Sequence, residues 1–308
     1  MRGFAVWWHS CVSCGKTMVL WAILLELFVA GTPTAYAATY SGGSGTVGDP
    51  YLVSTSADLV TLSTTSKDWA KYFLLTTNID MSGVSGFTPI GDFTTNFTGV
   101  FDGGGHAVQN LTINLPAQDY VGLFGYISDP SCQVKDLGMQ GSAVTGQDDV
   151  GGLVGCKHDG TISGCYATGA VTGNTSVGGL VGDNFGGTVS NSYATGAVSG
   201  GTNLGGLVGN NGYGTVTASF WDTTTGGPDN GVGTGIPTGQ MKQRTTFESV
   251  GWDFSGSPPV WYIFEGQSYP QIFGIPMPID SIDALQALAS VYNGNYFLTN
   301  VGFAHNPE

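Results

Sequence analysis

The chain has 308 residues, 51 of them glycine, a formal net charge of −14 and only 10% charged side chains. Glycine does not fall at every third position, which excludes collagen. Valine, leucine, isoleucine and aromatic residues recur at fixed phase, which argues against disorder. The acidic balance repels nucleic acid and anionic lipid headgroups and keeps an exported chain soluble.

In chain order, Arg2 and Lys16 form a basic leader, Met18 to Ala30 an apolar run too short to span a bilayer, and Ala35-Tyr-Ala37 a small-x-small cleavage site. These predict a signal peptide over 1–37 and export, with no membrane insertion after cleavage. Cleavage removes Cys11 and Cys14, so their C-x-x-C spacing supports no redox or metal role. Cys132, Cys156 and Cys165 remain, and an odd number in an exported chain does not make a disulfide framework. Residues 38–96 predict an N-terminal cap: a strand at Tyr51 to Ser54, a two-turn helix from Ser56 to Leu62, and a strong strand from Tyr72 to Asp80.

Residues 97–221 carry the periodic part. Val150-Gly-Gly-Leu-Val-Gly155 returns 27 residues later at Val177 to Gly182 and again at Leu204 to Gly209. Behind each comes a second phrase, ending in Cys165-Tyr-Ala, Ser192-Tyr-Ala and Ser219-Phe-Trp. A fixed period in this range means stacked structural units. Aligned by phase, three columns emerge: Val108, Val134, Ile162, Val189, Val216; Leu111, Leu137, Cys165, Ser192, Ser219; and Ile113, Met139, Ala167, Ala194. The expected fold is all-β, a right-handed parallel β-helix of about five coils with small caps at each end. Residues 222–274 break the period and predict a closing coil and cap, with a short helix over Thr238 to Thr246 and aromatic strands at Gly251 to Phe254 and Trp261 to Phe264. Residues 275–308 echo the opening: Ile279 to Leu288, then Asn295 to Asn300, predict the start of an incomplete second repeat unit.

The repeated Val-Gly-Gly-Leu-Val-Gly and Ser-Tyr-Ala-Thr-Gly segments resemble the GLUG-motif repeats of bacterial exported and surface proteins. Gly45 to Leu52, Phe101-Asp-Gly-Gly-Gly-His106, Phe220-Trp-Asp-Thr223 and Glu265 to Pro270 fit the same pattern, so the likeness covers roughly 40–272. It implies a β-solenoid of adhesin-like or haemagglutinin-like type with no catalytic residues in the repeats. Similar repeats accompany an IgA-cleaving bacterial metalloprotease, but none of His9, His106, His158 and His305 opens a His-Glu-x-x-His helix motif, so that chemistry is not predicted here.

Tyr166, Tyr193 and Phe220 share one phase beside core residues and are expected to point outward, as a strip for a sugar or protein ligand or as cross-coil packing. Asp119, Asp149, Ser176 and Asn203 precede each coil's first apolar residue and would form a carboxylate column, in a catalytic or cation-binding reading, or else a solvated turn column. Asn110, Asp136 and Asn191 read as an internal amide ladder or as corners bonding the backbone. No cofactor, metal site or catalytic residue is predicted. The expected function is non-enzymatic: an extracellular or cell-surface scaffold whose side face serves adhesion to a host or matrix glycan or protein. The alternatives are a carbohydrate-active β-helix, a lyase or hydrolase, and a truncated fragment of a larger adhesin.

Overall fold

The computed structural model describes residues 40–256 and 259–272. The predicted signal peptide over 1–37 and the predicted second unit over 275–308 lie outside these residues. Among the described residues no helix is long and apolar enough to cross a membrane.

The chain winds as a parallel β-solenoid of about six turns. One full coil shows the plan: strands Thr161–Ser163, Tyr166–Ala167, Ala170–Thr172, Thr175–Gly178 and Val181–Asn184 follow one another at short corners. Each strand pairs in parallel with the strand 27 residues on, so Ile162 faces Val189, Ala167 faces Ala194, Val171 faces Val198, Val177 faces Leu204 and Val181 faces Val208. Two seven-stranded sheets run the length of the stack, beside shorter sheets of four, three and four strands. Strands of two to four residues suffice because each is held by neighbours above and below.

The motif Val-Gly-Gly-Leu-Val-Gly is explained by close approach. A Cβ on Gly182 would lie 2.5 Å from the Val150 nitrogen, one on Gly209 2.5 Å from the Val177 nitrogen, and one on Gly155 2.6 Å from the Val121 nitrogen. The last glycine of each hexamer thus packs on the backbone that opens the hexamer of the coil before. The first glycine faces the other way: a Cβ on Gly178 would meet the Gly209 nitrogen at 2.6 Å, with the Val181 carbonyl closer still. Two strands of a coil can interlock with the next coil only where side chains are missing.

Two of the phase-aligned columns shift at their N-terminal end. Val134, Ile162, Val189 and Val216 do stack, but below Phe101 and Phe73. Val108 instead sits between Ile79 and Met139, in the column of Ala167, Ala194 and Trp221. Ile113 sits below Val144. The cause is the corner Gly103 to His106, which is longer than its counterparts: Gly104 and Gly105 take φ of 58° and 81°, and His106 N donates to Gly103 O at 2.8 Å. The turn resets the register for everything before it. Cys165 lies fully buried in the core as expected, and Cys132, Cys156 and Cys165 are all unpaired thiols.

The N-terminal cap is continuous with the solenoid, which accounts for the coil beyond the expected five. Strands Tyr51–Val53 and Tyr72–Leu75 are the first two of a seven-stranded sheet. Between them lies a helix, Ser56–Thr64, started by a capping box of Thr55 and Asp58. It buries Leu59 and Leu62 over the open end of the core, and Trp69 Nε1 donates to Leu62 O at 2.8 Å. At the other end Thr234–Ile236 pairs with Phe220–Asp222 and supplies the closing coil. The helical stretch after it is two short helices, Thr238–Met241 and Arg244–Glu248. Of the two expected aromatic strands only Trp261–Tyr262 forms, paired antiparallel with Gln271–Ile272. Trp252 and Phe254 instead plug their rings into a second apolar cluster.

Candidate functional site

Tyr166, Tyr193 and Phe220 stack in register, and their side chains stand outside the solenoid core as predicted. The Tyr166 and Tyr193 rings are 5.1 Å apart and nearly parallel. They are not open to a ligand. Tyr166 and Tyr193 are 0% exposed and Phe220 4%, because Met241, Phe247, Trp252, Phe254, Trp261, Ile263 and Ile272 cover them. Tyr193 Oη donates to Pro270 O at 2.6 Å, and Gln140 Nε2 to Tyr166 Oη at 2.5 Å. The segment after the closing coil is thus a strap laid back along the flank of the stack, and this strip is its bed.

A different aromatic row is exposed. It runs Phe93, Tyr120, Tyr126, His158, Phe185, Tyr213. Successive ring centroids lie 6.0 Å, 5.3 Å, 6.3 Å, 5.1 Å and 5.2 Å apart. Phe93 is 66% exposed, Phe185 43% and Tyr213 82%, which makes these rings a surface rather than a second core. The backbone fixes their spacing: His158 N donates to Ile127 O, Phe185 N to Lys157 O and Tyr213 N to Phe185 O, at 2.8–2.9 Å. Behind the rings an internal polar ladder does exist, though not at Asn110, Asp136 and Asn191. Buried Lys157 donates to Asn184 Oδ1 at 3.2 Å, Asn184 to Asn211 Oδ1 at 2.6 Å, and Asn211 to Gly214 O at 3.0 Å. Burial pushes the Lys157 ammonium down to about 8.

The other predicted columns resolve into corners. Asp136, Asn191 and Ala218 take φ of 51°, 47° and 45° at one left-handed corner, whereas Asn110 is displaced to the next by the Gly104–Gly105 insertion. Asp149, Ser176 and Asn203 also take φ near 54°, but their register mate is Tyr120, not Asp119, because Val121 pairs with Val150. Asp119 accepts from Asp148 N at 3.3 Å instead, so the carboxylate ladder is broken.

Beside the exposed row, one ligand atom each of Asp149, Cys156 and Asp183 lie within 4.8 Å of one another. Burial, then the nearby Asp183 charge, pushes the Asp149 carboxyl up to about 6. Burial also raises Asp183, though Asn210 donates to it at 3.0 Å. Burial and the two carboxylates hold the Cys156 thiol far above its usual range, so it keeps its proton and offers no thiolate to a metal. The raised Asp149 has a consequence for stability. Between about 4, the unfolded value, and about 6, the native state holds more protons than the unfolded chain. Stability contributed by this group is therefore full below pH ~4 and lost as pH rises through ~6. Asp149→Asn, which keeps a side chain tolerant of the left-handed corner, is expected to gain about 1–2 kcal/mol on wild type between pH 4 and 7. Urea midpoints across that range check it, and parallel profiles for the two proteins would contradict it.

A solenoid of glycine-interlocked coils with one strapped flank and one exposed aromatic row is a repeat protein built around surface rather than around a cleft. The comparisons agree with that class. Residues 146–172 and 173–199 each match the GLUG motif, so the chain carries GLUG repeats where the hexamers interlock. It is 37% identical over 147 residues to halomucin of Haloquadratum walsbyi, covering 44% of this chain and 2% of that protein. It is 32% identical over 116 residues to a protein of Evansella cellulosilytica described as a Gly-rich membrane protein, covering 36% of this chain and 13% of that one. The chain therefore spans a small part of either relative. Among solved structures, a protein of Bacteroides ovatus described as an immunoglobulin A1 protease superposes with a TM-score of 0.46 at 20% identity, covering 59% of this chain and 69% of that one.

Proposed function

We propose that this chain is an exported, non-enzymatic β-solenoid at the cell surface or in the extracellular space, and that its side face mediates adhesion. The observation that carries the reading is the exposed row from Phe93 to Tyr213: rings held one coil apart on a rigid shaft, two of them more than 60% exposed. Rigid aromatic side chains give contact area at little cost in conformational entropy, which is why they dominate the energetics of binding surfaces. Relatives whose names are a mucin-type and a membrane-protein name support a surface setting.

The test is binding of the full chain to an array of glycans and extracellular-matrix proteins, with the double substitution Phe185→Ser, Tyr213→Ser beside it. Both residues are exposed, so the fold should survive their loss. Binding that drops at least about tenfold in the double variant supports the reading. No binding by wild type, or equal binding by both, rejects it. Turnover of a polysaccharide by the wild-type chain would favour a carbohydrate-active β-helix instead.

A further inference from the structure

A second surface feature lies on another flank, near the N-terminal end. A cavity of about 510 Å³ is lined by Val47, Pro50, Tyr72, Leu74, Val100, Asp102, Ser131, Gln133 and Lys135, with Phe73 beneath. Its floor comes from three stacked strands, Tyr72–Leu75, Val100–Asp102 and Gln133–Lys135. Register places two outward columns there: Tyr72, Val100, Gln133, and Leu74, Asp102, Lys135. The flank of a parallel sheet is ordinarily flat. Here Val47 and Pro50 of the lead-in rise on one side and Ser131 on the other, which makes it concave.

The lining restricts what fits. The volume is in the range of small-molecule sites. The floor strands lie inside the sheet, each with a partner strand on both sides, so no free edge exists for an extended peptide to add to. Lys135 Nζ is 2.5 Å from Asp102 Oδ2 and 3.9 Å from Asp136 Oδ2, so its charge is already balanced and an anionic ligand finds no free counter-charge. The same pairing occupies Asp102, whose other oxygen accepts from Gly104 N at 2.9 Å, so no free carboxylate is left to act as an acid or base. What remains is an aromatic ring, Tyr72, 37% exposed, beside the exposed Gln133 amide, which makes no side-chain hydrogen bond among the described residues. An apolar ring with amide and ammonium donors at one side matches a pyranose, which has an apolar face and a rim of hydroxyls.

We propose that this cavity is a binding site for a neutral saccharide of one or two sugar units, with Tyr72 under the sugar ring and Gln133 and Lys135 at its hydroxyls. The site is separate from the exposed aromatic row and goes beyond the adhesive reading, so either can fail alone. The experiment is saturation-transfer NMR on the full chain with glucose, galactose, mannose, N-acetylglucosamine, cellobiose, maltose and lactose, and with glucuronate as a charged comparator. At least one neutral sugar should bind with Kd on the order of 0.1–10 mM, as expected of a shallow site with few contacts. Tyr72→Ala and Gln133→Ala should each weaken it at least about fivefold, while Phe185→Ser with Tyr213→Ser leaves it unchanged. Both pocket residues are exposed, and an unchanged thermal midpoint shows that their variants fold. Three results overturn the proposal: no neutral sugar bound at concentrations about tenfold above that range, glucuronate bound as well as the best neutral sugar, or binding that ignores both pocket substitutions.

Discussion

Gly178→Ala is expected to cost at least about 3 kcal/mol, an unusual loss for one added methyl group. The new Cβ would stand 2.6 Å from the Gly209 nitrogen and nearer still to the Val181 carbonyl. Both are backbone atoms, so no side chain can rotate away. Relief would require moving Thr175–Gly178 from Val181–Asn184, or Val208–Asn211 from both, and each strand is tied by parallel pairing to the coils above and below. In a solenoid each repeat rests on its neighbours, so strain at one interface is not absorbed elsewhere. Gly239→Ala is the control: a Cβ there meets nothing within 4 Å, and the residue lies in the helix Thr238–Met241. It should be neutral or gain up to about 1 kcal/mol. Urea midpoints of the two variants against wild type decide the matter. If both alanines behave alike, the hexamer glycines are turn residues and not an interlock.

The same glycines show how far the sequence could be read. Their 27-residue recurrence exposed the solenoid and the columns from Val134 onward, because every coil after Gln133 has the same length. Upstream, the register depended on one corner. Gly103 to His106 adds residues between Phe101 and Val108, and phase alignment cannot see that an insertion at a corner leaves both strands in place. Of the site, direction was legible but exposure was not. Tyr166 lies between buried Cys165 and Ala167 on an extended chain, so it must point the other way. Whether outward means solvent depends on residues 241–272, which return from far along the chain and carry no period. The row that is exposed escaped notice for the opposite reason. His158 and Phe185 share the 27-residue phase, but Tyr213 is one residue further on, opposite no ring in strict register, and Phe93 belongs to an irregular loop.

If the strap is what Tyr193 serves, Tyr193→Ser should release the strap before it harms the shaft. Tyr193 is fully buried, 5.1 Å from Tyr166, 6.3 Å from Tyr269, 6.4 Å from Trp252 and 6.2 Å from Trp261. Removing a buried ring of this size costs about 3–5 kcal/mol, and Pro270 O loses the hydroxyl that donates to it. Those contacts belong to a cluster apart from the solenoid's own core, whose Val, Leu and Ile columns are untouched. The loss should therefore fall on the attachment of residues 241–272. Three observations are expected together: quicker proteolysis within that segment, a red-shifted tryptophan emission as Trp252 and Trp261 meet water, and a β-sheet circular dichroism signal that persists. Tyr193→Phe separates ring from hydroxyl. It keeps the stacking and loses only the bond to Pro270, so it should cost about 1–2 kcal/mol and leave the strap mostly closed. Should Tyr193→Ser unfold strap and shaft in one transition, the two clusters are one cooperative unit, and the strap is part of the structure that lets the coils stand.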